Sequence, residues 1–171
     1  DIYSDVKRRD LTCNALYYDL DTKEIIDLVG GIEDIKNGIV RTVGNPTDRF
    51  GEDKLRILRA IRFAGRFGNE LDQATDLALQ QDSDISGISG ERIRDEFIKM
   101  IDSDAPAAGV DMLQKTGLLK HIIPELYEGI GCEQKGAHIY DVYNHLLHAL
   151  QHAADKKFST AIRLTALFHD I

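Results

Sequence analysis

The hydrophobic pattern of this chain changes its period once, near Gly51. Upstream of that point, short apolar runs separated by turn residues predict a short helix after the Gly30-Gly31 break and strands over 15–18, 25–29 and 39–43. Downstream, apolar residues recur at helical spacing and predict helices over 52–67, 72–81, 90–101, 106–116 and 118–121. The chain is therefore predicted to adopt a mostly helical α+β fold, with the strands in a small antiparallel piece.

The first of these helices, 52–67, has an apolar face and an arginine face. The apolar face holds Ile57, Leu58, Ala60, Ile61 and Ala64, and the other face holds Arg56, Arg59, Arg62 and Arg66. Four guanidinium groups within eleven residues, with no carboxylate among them, repel one another unless an anion lies nearby. We therefore predict that the arginine face binds phosphate or carboxylate; the alternative is a charged face exposed to solvent.

Composition and charge restrict the function further. The 171 residues are 43% hydrophobic with a net charge of −8, as in an ordinary folded protein. No apolar stretch approaches the roughly 20 residues of a membrane span, and no signal region opens the chain, so we expect no membrane partner and a cytoplasmic location. Residues 1–70 have a net charge of −1 and residues 71–171 of −7, so a surface for nucleotide or RNA is expected in the first seventy residues.

Two motifs precede the arginine helix. Arg8-Arg9-Asp10 and Asn14 lie just before a predicted strand, where the guanidinium pair can grip a polyphosphate and the polar side chains can bond ribose hydroxyls. Alternatively, these residues form an ordinary solvated surface. In the second motif, Asp27 through Asp34, the glycine pair is explained by the backbone freedom that a strand end needs before a helix start.

The third motif, Glu52-Asp53-Lys54-Leu55-Arg56, opens the arginine helix. Asp53 and Arg56 are three residues apart, so on a helix they lie side by side as an acceptor and a fork of donors. Such a pair can match the edge of a nucleobase; the alternative is an intrahelical salt bridge.

Together, in this order and spacing, the motifs resemble those of the class II nucleotidyltransferases, the family of bacterial CCA-adding enzymes and bacterial poly(A) polymerases. The resemblance covers residues 6–96 and includes Gly44-Asn45-Pro46 and Ser89 through Glu96. It implies that Asp53 and Arg56 read the Watson–Crick edge of incoming CTP or ATP. It further implies nucleotide-binding roles on phosphate, ribose or triphosphate for Arg9, Asp10, Arg59 and Arg62, with Arg8 and Asn14 in support.

The resemblance also implies attack of a tRNA 3′-hydroxyl on the α-phosphate, assisted by two Mg²⁺ ions. The family places the metal-binding Asp-x-Asp and a phosphate loop upstream of the segment that corresponds to Asp1, so no catalytic residue is assigned in this chain. We expect the chain to be a fragment that recognises nucleotide in part but is inactive alone, and to expose a strand edge through which two copies could associate.

The last forty residues resemble the start of an HD-type metal phosphohydrolase domain. This resemblance rests on Gln134, His138, Tyr140-Asp141-Val142, His145 and His169-Asp170. It implies a divalent transition metal held by His145, His169 and Asp170, because imidazole and carboxylate suit such a metal, with a fourth ligand, an Asp, further downstream.

The predicted division is a C-terminal part of a nucleotidyltransferase palm (1–46), a helical neck and body with the base-reading site (47–130) and the beginning of an HD domain (131–171). The predicted function is nucleotide selection in CCA addition, with tRNA, CTP and ATP as partners. The alternatives are poly(A) polymerase, an HD-type metal-dependent phosphohydrolase, and a noncatalytic RNA- or nucleotide-binding module.

Overall fold

The computed structural model describes residues 1–132 and 140–171. This part of the chain divides into two compact units, one of residues 1–64 and 68–88 and the other of residues 65–67 and 89–171. Gln134, His138, most of the loop predicted over 131–137 and the helix start predicted at about 138 lie outside the described residues. Both units are rich in helix and the strands are short, which confirms the mostly helical α+β fold.

The first unit contains all four described strands. Its helices are α1 (Ile2–Val6), α2 (Gly31–Asn37), α3 (Pro46–Glu52), the part of α4 (Leu55–Phe67) up to Ala64, and α5 (Gln73–Gln81), with a 3-10 turn at Thr12–Asn14. Its strands are β1 (Leu16–Tyr18), β2 (Ile25–Asp27), β3 (Ile39–Val40) and β4 (Glu70–Leu71).

The strands form two small sheets instead of one. β1 and β2 are antiparallel, with Leu16 opposite Asp27. β3 pairs in parallel with β4, a strand that the sequence did not predict. The prediction that residues 39–43 join the other strands in one antiparallel piece was therefore wrong. The reason is local: α2 separates β3 from the β1–β2 hairpin, and Gly38 at its end adopts a φ of 66°, a left-handed turn that suits glycine and redirects the chain.

The predicted helix 52–67 corresponds to α4, which begins three residues later, and Glu52 is instead the last residue of α3, a helix that the sequence did not predict. Asn45 caps α3 by accepting the N–H of Asp48, and Pro46 occupies its first turn. At Asp53 the backbone is extended, with φ −151° and ψ 107°, so α3 ends before it and α4 begins at Leu55. The predicted apolar face of α4 is nevertheless confirmed, because Ile57, Leu58, Ala60, Ile61 and Ala64 are all buried.

The second unit is helical. It contains the last turn of α4 and the helices α6 (Gly90–Ile101), α7 (Pro106–Lys115), α8 (Leu119–Ile122), α9 (Pro124–Glu128), α10 (Val142–Asp155) and α11 (Thr160–Phe168). α10 packs against α7 and α11. Arg163 is buried and donates to the carbonyls of Ile101, Ser103 and Phe158, so it joins the end of α6 to the start of α11. No helix in the described part of the chain is long and apolar enough to cross a membrane.

Candidate functional site

Three arginines of α3 and α4 bind the segment that carries the first motif. Arg49 donates to the carbonyl of Lys7, Arg56 Nη2 donates to the carbonyl of Arg8 at 3.0 Å, and Arg59 Nε donates to a carboxylate oxygen of Asp10. All of these contacts lie within the first unit. The structure therefore brings the first and third motifs together, as a shared nucleotide site requires.

Asp10 is the buried centre of this cluster. Its side chain is 10% exposed, its Oδ2 accepts from Arg59, and its Oδ1 accepts from the Asn14 amide at 3.5 Å. Burial raises the pKa of Asp10, but the hydrogen bond and charge of Arg59 outweigh burial, so the pKa lies below its usual value. Asp10 is therefore an ionised carboxylate that links α4 to the segment before β1.

Arg8 and Arg9 lie at the surface beside this cluster. Their side chains are 78% and 47% exposed, and both pair with Asp5 at the end of α1, at 3.3 and 2.8 Å. The sequence interpretation did not include Asp5. Arg9 follows the end of α1 at Val6, and the turn there brings it back to Asp5, so no predicted element signalled the pair.

The structure places Asp53 and Arg56 at the start of α4, with Asp53 just outside the helix, and their contact with a base stays a prediction. Asp53 lies between α3 and α4, where its Oδ1 accepts the N–H of Leu55 at 3.0 Å. Arg56 instead forms an ion pair with Glu52 at 2.6 Å and donates to the carbonyls of Arg8 and Arg49. Asp53 precedes the helix, but its carbonyl accepts the N–H of Arg56 at 3.0 Å, so the two residues lie one turn apart at the start of α4.

The arginine face of α4 is also not uniformly open. Arg62 is 6% exposed, and its guanidinium carbon lies 4.6 Å from the ring centroid of Phe63. Arg59 is half-buried against Asp10, and Arg66 is exposed. The carboxylates of Glu52 and Asp10 therefore lie beside this face, as the repulsion argument required, and binding of an external anion stays a prediction.

Asp27 and the glycine pair have a structural role beyond backbone freedom. The Asp27 carboxylate accepts the N–H groups of Val29, Gly30, Gly31 and Ile32 at 2.9–3.1 Å, and so caps the start of α2. Burial raises the pKa of Asp27, but these four donors outweigh burial and lower it. A Cβ on Gly31 would lie 2.3 Å from the carbonyl oxygen of Thr12, so the close approach requires glycine.

Asp34 is the buried acceptor of a second cluster in the first unit. It accepts from Thr12 Oγ1 at 2.7 Å and from Arg41 at 3.0–3.2 Å, while Arg41 Nη1 also reaches Asp72 at 2.9 Å. Arg41 and Asp72 line a pocket of about 310 Å³ together with Thr12, Val29, Thr42, Val43, Gly44 and Ala74. The sequence interpretation identified neither Arg41 nor this pocket.

In the second unit, the three predicted metal ligands converge. His145 Nε2 lies 3.2 Å from His169 Nε2 and 3.6 Å from an oxygen of Asp170, and the His169–Asp170 distance is 3.4 Å. His169 Nδ1 lies 2.9 Å from the carbonyl of Ala166, so it carries the proton and leaves the Nε2 lone pair facing the other two groups. Two imidazoles and a carboxylate fit a divalent transition metal.

Comparisons with known protein families agree with the resemblance. Residues 1–41 match a model described as "Poly A polymerase head domain", and residues 70–129 match one described as "Probable RNA and SrmB-binding site of polymerase A". The multifunctional CCA protein of Neisseria gonorrhoeae is 37% identical over 172 residues, covering 98% of this chain and 41% of that protein. The CCA-adding enzyme of Lactobacillus helveticus is 48% identical over 97 residues, covering 56% of this chain and 24% of that enzyme.

Solved structures give the same result. The Bacillus stearothermophilus CCA-adding enzyme in complex with CTP matches with a TM-score of 0.72 and 29% identity, over 98% of this chain and 43% of that one. A CCA-adding enzyme in complex with ATP matches with a TM-score of 0.72 and 25% identity, over 99% of this chain and 41% of that one. This chain thus spans less than half the length of the relatives that it matches.

Proposed function

Because this chain belongs to the family of CCA-adding enzymes and bacterial poly(A) polymerases, we propose that it contributes nucleotide selection to the template-independent addition of CMP and AMP to the 3′ end of tRNA. CTP, ATP and tRNA are the proposed partners of the full protein, and the cytoplasm its proposed location. The observation that carries this proposal is the bond from Arg56 to the carbonyl of Arg8, since it joins the two motifs proposed to contact one nucleotide.

In this proposal, Asp53 and Arg56 contact the base, and Arg9 and Asp10 contact phosphate and ribose. For Arg56 to reach a base, its guanidinium has to exchange the ion pair with Glu52 for the ligand, while the bonds to backbone carbonyls hold it in place. Arg59 holds Asp10 ionised, and Arg62 supports the helix from within. Arg9, Arg56 and Arg59 can therefore act on the nucleotide while they also stabilise the site, whereas the buried Arg62 would act through the position of α4.

Magnesium is proposed for the full protein, where it would stabilise the attacking and leaving oxygens. Three carboxylates of the first unit do not fit a magnesium pair, since Asp10 is bonded to Arg59, Asp27 to backbone N–H groups and Asp34 to Arg41. In the described part of the chain, the one cluster with three suitable ligand atoms is His145, His169 and Asp170. We therefore propose that the chain alone does not transfer nucleotides.

The test is Arg56→Ala in the full protein that carries this chain, with incorporation of CMP and UMP measured in competition. We expect loss of discrimination between CTP and UTP, because one partner of the base edge is removed. Arg94→Ala is the matched control, since Arg94 is a 63% exposed arginine that pairs with Asp95 on α6. Unchanged selectivity in a folded Arg56→Ala protein would count against the proposal.

The nearest alternative, poly(A) polymerase, differs in the product. A full protein that extends RNA with many AMP residues and ignores CTP would favour it, whereas CMP followed by AMP on tRNA favours CCA addition. Binding of RNA and nucleotides without turnover would instead favour a noncatalytic module.

The converged histidine and aspartate groups favour a second proposed activity, a metal-dependent phosphohydrolase site of the HD type. Here His145, His169 and Asp170 would hold a divalent metal, which supplies Lewis acidity toward a phosphate ester. Hydrolysis of a phosphomonoester with Mn²⁺ or Ni²⁺, lost in His145→Ala but kept in Asp53→Ala, would support this activity. Equal hydrolysis by the His145→Ala protein would exclude these residues.

Self-association along the β1–β2 hairpin also remains a proposal. Tyr18 and Ile25 are paired with each other in register and are 56% and 57% exposed, so the hairpin carries apolar surface next to strand edges. A mass that does not change with concentration in sedimentation equilibrium would argue against association.

A further inference from the structure

Asp5 is the acceptor that organises the arginine pair of the first motif. Its Oδ2 accepts from Arg9 Nε at 3.0 Å, from Arg9 Nη2 at 2.8 Å and from the Tyr17 hydroxyl at 2.9 Å. Its Oδ1 accepts from Arg8 Nη2 at 3.3 Å. Four donors from three side chains therefore meet on one carboxylate.

The contact fixes the orientation of the Arg9 guanidinium. Two donors on one edge of a planar group determine its plane and direction, which a single bond would not. The Nη1 group is not part of this pair, and the Arg9 side chain remains 47% exposed. The Nε and Nη2 edge of the Arg9 guanidinium is thus bound to Asp5, while the Nη1 edge lies at the protein surface.

Asp5 is itself held by two elements. It belongs to α1, whose first turn is capped by Asp1, and it bonds Tyr17 on β1. Tyr17 also packs on the guanidinium of Arg9, with 5.8 Å between the guanidinium carbon and the ring centroid. Hydrogen bonds from Arg9 and Tyr17 lower the pKa of Asp5, so the carboxylate is charged at neutral pH.

We propose that Asp5 is a positioning residue for the phosphate chain of the nucleotide: it directs the free edge of Arg9 toward a phosphate oxygen. This inference rests on the proposed nucleotide-binding function. The local charge also favours phosphate binding, since the guanidinium groups of Arg8 and Arg9 and the carboxylate of Asp5 together have a net charge of +1. The opposite role, in which Asp5 competes with phosphate for Arg9, predicts the opposite effect of removing it.

The test compares CTP with cytidine, which has the base and ribose but no phosphate. The 171-residue chain and its Asp5→Ala variant are titrated with each ligand, and the dissociation constants are obtained from amide chemical shifts in nuclear magnetic resonance spectra. We expect Asp5→Ala to weaken CTP binding about tenfold, the lower end of the loss that follows when the orienting partner of a metal-binding side chain is removed. The affinity for cytidine should not change.

Two further variants separate positioning from helix stability. Asp1→Ala removes the cap of α1 without touching Arg9, so it should leave CTP binding unchanged. Asp5→Glu keeps a carboxylate on the same helix and should restore part of the affinity.

The alternatives give distinct results. Tighter CTP binding by Asp5→Ala would show competition, and equal weakening of CTP and cytidine would show a general structural role; either result, or no change, overturns the inference. A wild-type chain whose spectrum does not respond to CTP would refute the proposed function itself, and the positioning role with it.

Discussion

Gly31→Ala should destabilise the first unit more than any other glycine substitution near the motifs. The added Cβ would lie 2.3 Å from the Thr12 carbonyl oxygen, more than 1 Å inside the 3.4–4 Å of an ordinary contact, and 3.1 Å from Leu16 Cδ2. The nearest atom is backbone and not the end of a flexible side chain, so either α2 or the Thr12–Asn14 turn has to move.

A shift of that size also disturbs two sets of bonds. The N–H groups of Gly31 and Ile32 bond Asp27 at 3.0 and 2.9 Å, and Thr12 bonds Asp34 at 2.7 Å. Overpacking costs about 1–3 kcal/mol, and one weakened charge-assisted bond adds about 1 kcal/mol. We expect the free energy of unfolding to fall by about 3 kcal/mol.

The assay is urea denaturation followed by circular dichroism, with two glycine controls. Gly30→Ala meets nothing within 4 Å but has a φ of 80°, so it isolates backbone strain of about 1 kcal/mol. Gly51→Ala also meets nothing and lies in α3, so it should be neutral or slightly stabilising. The reasoning is refuted if Gly31→Ala costs no more than Gly30→Ala.

Three other perturbations have defined outcomes. Tyr143→Phe should raise the free energy of unfolding by about 1 kcal/mol in thermal denaturation, because the buried Tyr143 hydroxyl has no hydrogen-bond partner in the described part of the chain; a loss of stability would contradict this. Backbone N–H donors hold the pKa of Asp27 below its usual value in spite of burial, so its contribution is present above the unfolded pKa and is lost as pH falls through the lower folded value. In Asp27→Asn, the free energy of unfolding should therefore fall less steeply as the pH is lowered into the acid range. An unchanged slope of this free energy against pH would exclude the contribution. Arg163→Met should cost about 3 kcal/mol in urea denaturation, since three carbonyls lose their donor, whereas the exposed Arg94→Met should cost less than 0.5 kcal/mol; equal costs would be inconsistent with the buried bonds.

The sequence predicted elements well where a local signal marks both ends. α6 runs from Gly90 to Ile101 as predicted, because Ser89 caps its start and the apolar period continues to its end. β4 was missed since it has only two residues, Glu70 and Leu71, and its pairing with β3 is set by the tertiary fold. No periodicity can signal so short a strand.

The sequence predicted which residues form the site more reliably than it predicted which of them bond one another. The motifs identified Asp10, Arg56 and Arg59, which meet in the first unit, but they missed Asp5 and Arg41 and did not indicate which groups pair. Arg56 bonds Glu52 because α3 ends just before Asp53, and Arg59 bonds Asp10, which is 49 residues away in sequence. These pairings depend on where helices end and on segments distant in sequence, so they could not be predicted from the motif spacing.

The bonds from Arg49 and Arg56 to backbone carbonyls affect how genetic data on this protein should be interpreted. In a mutational scan, lysine at either position would keep the charge but lose the planar fork that spans two acceptors. Such variants would lower the cellular abundance of the protein in addition to any effect on the proposed contact of Arg56 with the base. A scan scored by growth alone would assign these positions to substrate recognition, and only a parallel measurement of protein level would separate the two effects.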